Sequence, residues 1–225
     1  MKQSDSMAIE VYNLLKNKII SMELMPGQIL IAHQLSVENN ISRTPVREAL
    51  IRLENIGFVE SSTGGKYRVT NITWRSIVDL YNTRRILEKA AVSALVHTLT
   101  EKELSQLEDY NNLMDKSLKD NDLDGFFEND MNFHNFLLYS YGNQVIYDWC
   151  ERMSESQQRI RYITAGIEGR MQESILEHQN IVCFLRRQNE AEAISVLDKH
   201  LISTVEDLKN LRDNRFTVPS RIIKW

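Results

Sequence analysis

The segment ISRTPVREALIRLENIGF, residues 41–58, constrains this 225-residue chain more than any other stretch. Val46, Leu50 and Leu53 recur at helical spacing on one face, and Pro45 falls in the first turn, where its missing N–H costs nothing. Either Ser42 or Thr44 can cap this helix, and Gly57 stops it just after Asn55. The same spacing leaves Arg43, Thr44 and Arg47 off the apolar face at the N-terminal end. A helix N-terminus offers unpaired N–H groups and a positive dipole end to phosphates, and arginines there can reach guanine edges in the major groove.

The flanking residues extend this into a unit. Upstream, Ile9, Val11, Tyr12, Leu15, Ile19 and Ile20 predict an amphipathic helix over Ala8–Met22, ended by Pro26-Gly27. A short helix over Ile31–Glu38 follows and turns at Asn39-Asn40. Downstream, GFVESSTGGKYRVTNI predicts two strands, around Phe58–Glu60 and Tyr67–Val69, joined at Gly64-Gly65 with Lys66 beside the turn. Three helices and a two-stranded wing make residues 1–72 a winged helix-turn-helix. The chain's net charge of −4 does not oppose this. Residues 1–70 hold eight Lys/Arg against seven Asp/Glu, whereas the rest hold nineteen against twenty-four, so the acidity lies in the second part. Phosphate neutralisation is local and needs only one basic surface.

Residues 73–225 carry no strand alternation. Their periodicity predicts six helices over Thr73–Thr98, Glu101–Lys119, Leu123–Tyr141, Gln144–Ala165, Arg170–Gln188 and Ala191–Leu211. Thr100 with Glu103 is a capping box, and Gly142-Asn143 closes the third helix. Short connections make an antiparallel bundle, so the fold class is mainly α. No apolar run is long enough to cross a bilayer, and the first residues lack the apolar core of a signal peptide, which predicts a cytoplasmic protein. Cys150 and Cys183 form neither a disulfide framework nor a thiolate metal motif. In the tail FTVPSRIIKW, residues Ile222, Ile223 and Trp225 can cover either the bundle or a partner subunit.

The histidines of the second domain carry the chemistry. Asp130 and His134 stand four apart on one helix face beside Phe133 and Leu137. His178 shares a face with Ile175, Val182 and Leu185, and His200 with Val196, Leu197 and Thr204. One inward histidine is ordinarily a satisfied core residue. Three imidazoles and a carboxylate from three helices are instead a nitrogen and oxygen set for a divalent ion, zinc or nickel first, with iron or manganese as alternatives.

The string SRTPVREALIRLENIGFVE resembles the DNA-binding signature of the GntR family of bacterial regulators, over residues 8–70. The resemblance implies DNA contacts by Arg43, Thr44 and Arg47 and by a wing glycine, Gly64 or Gly65. His33 departs from it, standing where many relatives have an arginine, which implies a changed operator preference. DMNFH, EHQNI and DKHL resemble the metal-containing form of the FadR-type C-terminal domain, FCD, in its six-helix VanR-like version. That resemblance implies metal ligation by Asp130, His134, His178 and His200, and an effector carboxylate held by an arginine of DLYNTRRILE. Arg84 or Arg85 fits, with Arg84 the better match and Glu88 one turn on; Asn143 also matches.

The expectation is therefore a homodimeric repressor that binds a pseudo-palindromic double-stranded DNA operator and is released by a small carboxylate or sugar acid at the metal. Two alternatives stand beside it. One is a metal-dependent hydrolase or oxygenase with Glu88 or Glu177 as a nominal base; the other is a DNA-binding dimer whose histidines are inert core.

Overall fold

A computed structural model describes residues 2–164, 167–213 and 223–224. In chain order the elements are α1 (Lys2–Ile20), β1 (Ile29–Leu30), α2 (Ala32–Glu38), α3 (Arg43–Asn55), β2 (Val59–Ser62), β3 (Lys66–Val69) and β4 (Ile72–Thr73). Then come α4 (Trp74–Leu95), α5 (Glu101–Lys119), α6 (Leu123–Ser140), α7 (Gln144–Thr164), α8 (Arg170–Arg186), α9 (Glu190–Asp213) and β5 (Ile223–Lys224). The chain is mainly helical and separates into two compact units, one of residues 1–74 joined by β5, the other within residues 75–216.

In the first unit α3 packs against α1 and α2. Ala8, Val11, Leu15 and Ile19 of α1 meet Val46, Ala49, Leu50 and Leu53 of α3 in a buried core, the stripe that the 3.6-residue period requires. Ser42 occupies the N-cap of α3 in extended backbone, yet its hydroxyl makes no capping bond. Helix α2 likewise starts at Ile31 without a side-chain cap. Both starts rest on tertiary packing instead. The wing holds three strands, not two: β3 pairs antiparallel with β2 and also with β1, where Ile29 faces Arg68 and Leu30 faces Tyr67. A two-residue strand has too few positions to alternate, so no sequence period announces it. The β2–β3 turn holds Gly64 and Gly65 at φ +74° and +69°, a left-handed backbone in which a Cβ is costly.

The chain end corrects the sequence reading. That reading placed the terminal residues with the helical domain, whereas β5 adds parallel to β4, Ile72 facing Ile223 and Thr73 facing Lys224, in the first unit. Ile222 and Trp225, offered above as covering residues, lie outside the described residues.

In the second unit α5 packs on α6 and α8, α8 on α9, and α7 on α6 and α9. The predicted and observed helices agree within a few residues, and several starts and stops have a local cause. Thr100 and Glu103 form the reciprocal capping box of α5. Asp122 caps α6 by accepting from the Gly125 N–H at 3.0 Å, and a Cβ at Gly125 would sit 2.2 Å from its carboxylate. Gly142, at φ +77°, ends α6. Met114, Phe126, Phe127 and Ile175 form one buried cluster between α5, α6 and α8. Among the described residues no helix is long and apolar enough to cross a membrane.

Candidate functional site

Each unit presents one candidate site. In the first, Arg43, Thr44 and Arg47 are exposed on the first two turns of α3, while Pro45, Val46, Ala49 and Leu50 beside them are buried. Lys66 is exposed next to the exposed Gly64-Gly65 turn, and His33 is exposed on α2. Among the described residues the side chains of Arg43, Arg47 and Lys66 make no hydrogen bond or ion pair, so their charges are available to a partner.

In the second unit the predicted ligands converge. Asp130 and His134 come from α6, His178 from α8 and His200 from α9, and one ligand atom of each lies within 4.8 Å of the others. His134 Nε2 is 3.2 Å from both His178 Nε2 and His200 Nε2. Asp130 Oδ1 is 3.8 Å from the Nε2 atoms of His134 and His178. Phe133, fully buried, stacks flat on the His178 ring at 4.1 Å and fixes its plane.

Behind the ligands stands a second layer of charge. His134 Nδ1 meets Glu88 Oε2 at 2.7 Å, and His200 Nδ1 meets Glu177 Oε2 at 2.7 Å. Burial pushes Glu88 up, but the Arg84 guanidinium and His134 outweigh it and hold the carboxyl at about 2. Burial also raises Glu177, and hydrogen bonds from His200 and Arg170 bring it to about 2. Both groups are carboxylates at neutral pH, so each accepts the Nδ1–H of its histidine. Burial lowers His178 well below the ordinary histidine value, reinforced by His200 and His134. Burial lowers His200 too, against the opposing pull of Glu177. Asp130 is driven up by burial, yet Arg161 and the three imidazoles hold it well below the ordinary carboxylate range.

These facts test whether the residues suit a metal ion. With Nδ1 protonated on His134 and His200, their Nε2 lone pairs face each other at 3.2 Å, an arrangement that is repulsive until a cation lies between them. Two nitrogens bound to one ion at about 2.1 Å and angles of roughly 90–110° are about 3.0–3.4 Å apart, which matches. The carboxylates on the far side of two rings supply the hydrogen bonds that metal-binding histidines ordinarily make. The donor set fits a divalent cation.

Beside the cluster is a cavity of about 40 Å³ lined by Tyr81, Arg84, Asp130, Arg161, Arg170 and His200 among others. Arg84 is buried, pairs with Glu88 through Nε at 2.7 Å, and lies over the Tyr81 ring. Arg85, the alternative, instead makes a bidentate pair with Asp198 at 2.8 and 2.9 Å, away from the cavity. Asn143 is exposed and does not line the cavity; its amide oxygen accepts from the N–H groups of Val145 and Ile146 and caps α7. Sequence reasoning passed over Arg161 and Arg170, both buried here. Each follows its helix's apolar stripe in register, and a cation in a core stripe was the signal that could have found them.

The comparisons with known proteins agree with this picture. Residues 8–69 match the model of the gntR family of bacterial regulatory proteins, and residues 79–203 match the FCD domain. The HTH-type transcriptional repressor RspR of Escherichia coli is 26% identical over 203 residues, spanning 90% of this chain and 89% of its own. The solved structure of E. coli McbR/YncC superposes with a TM-score of 0.74 at 19% identity, covering 92% of this chain and 98% of that one. A metal-free FCD domain of the regulator TM0439 gives 0.51 at 20% identity over 63% of this chain and 98% of that one. The family is one of transcription regulators, and the hydrolase or oxygenase alternative is set aside. A winged helix with unpaired arginines, joined to a helical unit that gathers three histidines and an aspartate, thus belongs to the GntR family of transcription regulators, with an FCD domain as its second part.

Proposed function

We propose that the chain is a homodimeric repressor whose FCD unit holds a divalent metal on Asp130, His134, His178 and His200, and whose operator affinity falls when a small carboxylate binds there. The observation that carries the metal reading is the convergence of the histidine Nε2 atoms at 3.2 Å, with two of the rings fixed from behind by carboxylates. Zinc or nickel suits this nitrogen-rich set best, with iron or manganese as alternatives. A bound ion would supply a Lewis-acidic charge with coordination positions left for an acid's oxygens. Arg84 faces the same cavity and supplies a donor to that acid. The repressor sign follows the similarity to RspR, a transcriptional repressor.

The cavity beside the cluster is small, about 40 Å³, which favours a compact acid. Arg43, Thr44, Arg47 and the Gly64-Gly65-Lys66 turn would face the operator, and His33 would tune its preference. Two such readers on a two-fold dimer require a pseudo-palindromic operator. Release by ligand requires that the ligand bind the two arrangements of the dimer unequally.

The test has two parts. Elemental analysis of purified protein is expected to find about one divalent ion per chain, lost in His178→Ala. Protein that carries no metal and takes up neither Zn²⁺ nor Ni²⁺ would sink the sensing model and leave the histidines as core. Operator binding, followed by fluorescence anisotropy, is expected to weaken as compact acids are titrated into metal-loaded protein.

A further inference from the structure

We propose that Glu54 is a positioning residue for DNA binding: its carboxylate ties the outer strand of the wing to the end of the recognition helix and so holds Lys66 within reach of the DNA backbone. This rests on the reading of α3 and the wing as the DNA-facing surface.

Glu54 lies in the last turn of α3, where the negative end of the helix dipole disfavours an anion. Among the described residues no lysine or arginine pairs with it. Its carboxylate meets one residue of the wing instead: Oε1 accepts from the Ser61 N–H at 2.9 Å and from the Ser61 hydroxyl at 2.6 Å. A half-buried acid at an unfavourable helix position, with both of its bonds on β2, serves the wing and not the helix.

The sheet leaves this edge open. The strand order is β1-β3-β2, so β3 is flanked on both sides and β2 on one only. Strand β1 supports β3 at Arg68 and Tyr67. At the base of the hairpin, Val69 exchanges backbone bonds with Gly27 and Gln28 at 2.8 and 2.9 Å, and Thr70 Oγ1 donates to the Gly57 carbonyl at 2.7 Å. Ser61 stands farther out, beside the Ser62 and Lys66 pair that flanks the turn. There Glu54 gives the free edge of β2 the acceptor that a further strand would supply. A two-stranded hairpin is marginal by itself, so its direction has to be held from outside. At about 1.5 Å per residue, Arg43 and Glu54 are roughly 16 Å apart along α3. One helix therefore carries the arginines at one end and the anchor of the wing at the other.

The sign of the effect separates this role from bulk electrostatics. An acid on a DNA-facing unit repels phosphate, so removing an ordinary surface glutamate strengthens binding, whereas removing an anchor weakens it.

The test uses full-length protein and a duplex that the wild type selects from a random-sequence pool, with affinity measured across a salt series. Lys66→Ala is expected to lower the slope of log affinity against log salt by about one per wing. Glu54→Ala is expected to lower it by the same amount, and the double variant by no more than either alone, because both changes remove one contact. Discrimination against single base-pair changes is expected to stay as in wild type, since Arg43 and Arg47 are untouched. Glu54→Gln keeps the accepting oxygen and is expected to restore most of the slope. Should Glu54→Ala not fold, Ser61→Ala, which removes the shorter of the two bonds, takes its place. Additive losses in the double variant, an unchanged slope or a gain in affinity in Glu54→Ala, or a glutamine variant no better than alanine overturns the anchor and leaves the wing reading standing. An unchanged slope in Lys66→Ala overturns the wing reading and the anchor with it.

Discussion

Arg47 projects from the first turns of α3 with no side-chain partner among the described residues, so the fold does not depend on its charge. Arg47→Ala is expected to weaken specific operator binding by about 1–3 kcal/mol with the melting temperature unchanged. Operator affinity within about twofold of wild type would mean that α3 does not read bases. Glu177 stands at one remove from the candidate metal ligands, holding the His200 ring by Nδ1. Glu177→Gln keeps the shape but weakens that hydrogen bond, and metal affinity measured by competition with a chelator is expected to fall about 10–100-fold. Asp130 and His134 were legible because a four-residue spacing puts both on one helix face. Arg161 and Arg170 stand in register with their helices' apolar stripes, but the acids and carbonyls that they meet come partly from other helices, which no spacing encodes.

Helix α5 shows how much local chemistry decides. Its capping box satisfies two otherwise orphaned N–H groups, with the Thr100 N–H donating to Glu103 at 2.8 Å and the Glu103 N–H donating to the Thr100 hydroxyl at 3.3 Å. Thr100→Ala is expected to cost about 0.5–2 kcal/mol in chemical denaturation while metal content and operator binding stay as in wild type. An unchanged denaturation midpoint would show that α5 is held by packing alone. The contrast is α2, seven residues whose N-cap makes no side-chain bond and which bury Ala32, Leu35 and Ser36. Strand β1 belongs with it: its two residues become a strand only because β3 offers free edge groups.

At the scale of the whole molecule, stability depends on pH. His178 and His200 lie below the ordinary histidine value of about 6.5, so between that value and their folded values the unfolded chain binds more protons. Their contribution is therefore complete above about pH 6.5 and is lost as pH falls through the folded values. Glu88 and Glu177, both near 2, add stability that is complete above the ordinary glutamate range and is lost as pH falls toward about 2. The melting temperature is expected to be level above about pH 7 and to fall from pH 6.5 to 5, more steeply with metal bound because protons compete for the same nitrogens. A level profile from pH 8 to 5 would contradict the neutral-histidine assignment. Removing the metal with a chelator at pH 7.5 is expected to lower the melting temperature, by an amount that grows with the free metal concentration of the reference sample.

Sequence alone determined the winged reader, the six-helix count and the four metal-ligand candidates. Those features rest on periods, caps and spacings, which are forces between residues near in the chain. Tertiary structure decided what depends on convergence of distant residues: that Arg84 and not Arg85 faces the cavity, that Asn143 caps α7, that Glu88 and Glu177 fix two histidine rings, and that the chain's end pairs with β4. A side chain's partner across the fold is set by helix packing, and no local pattern encodes it.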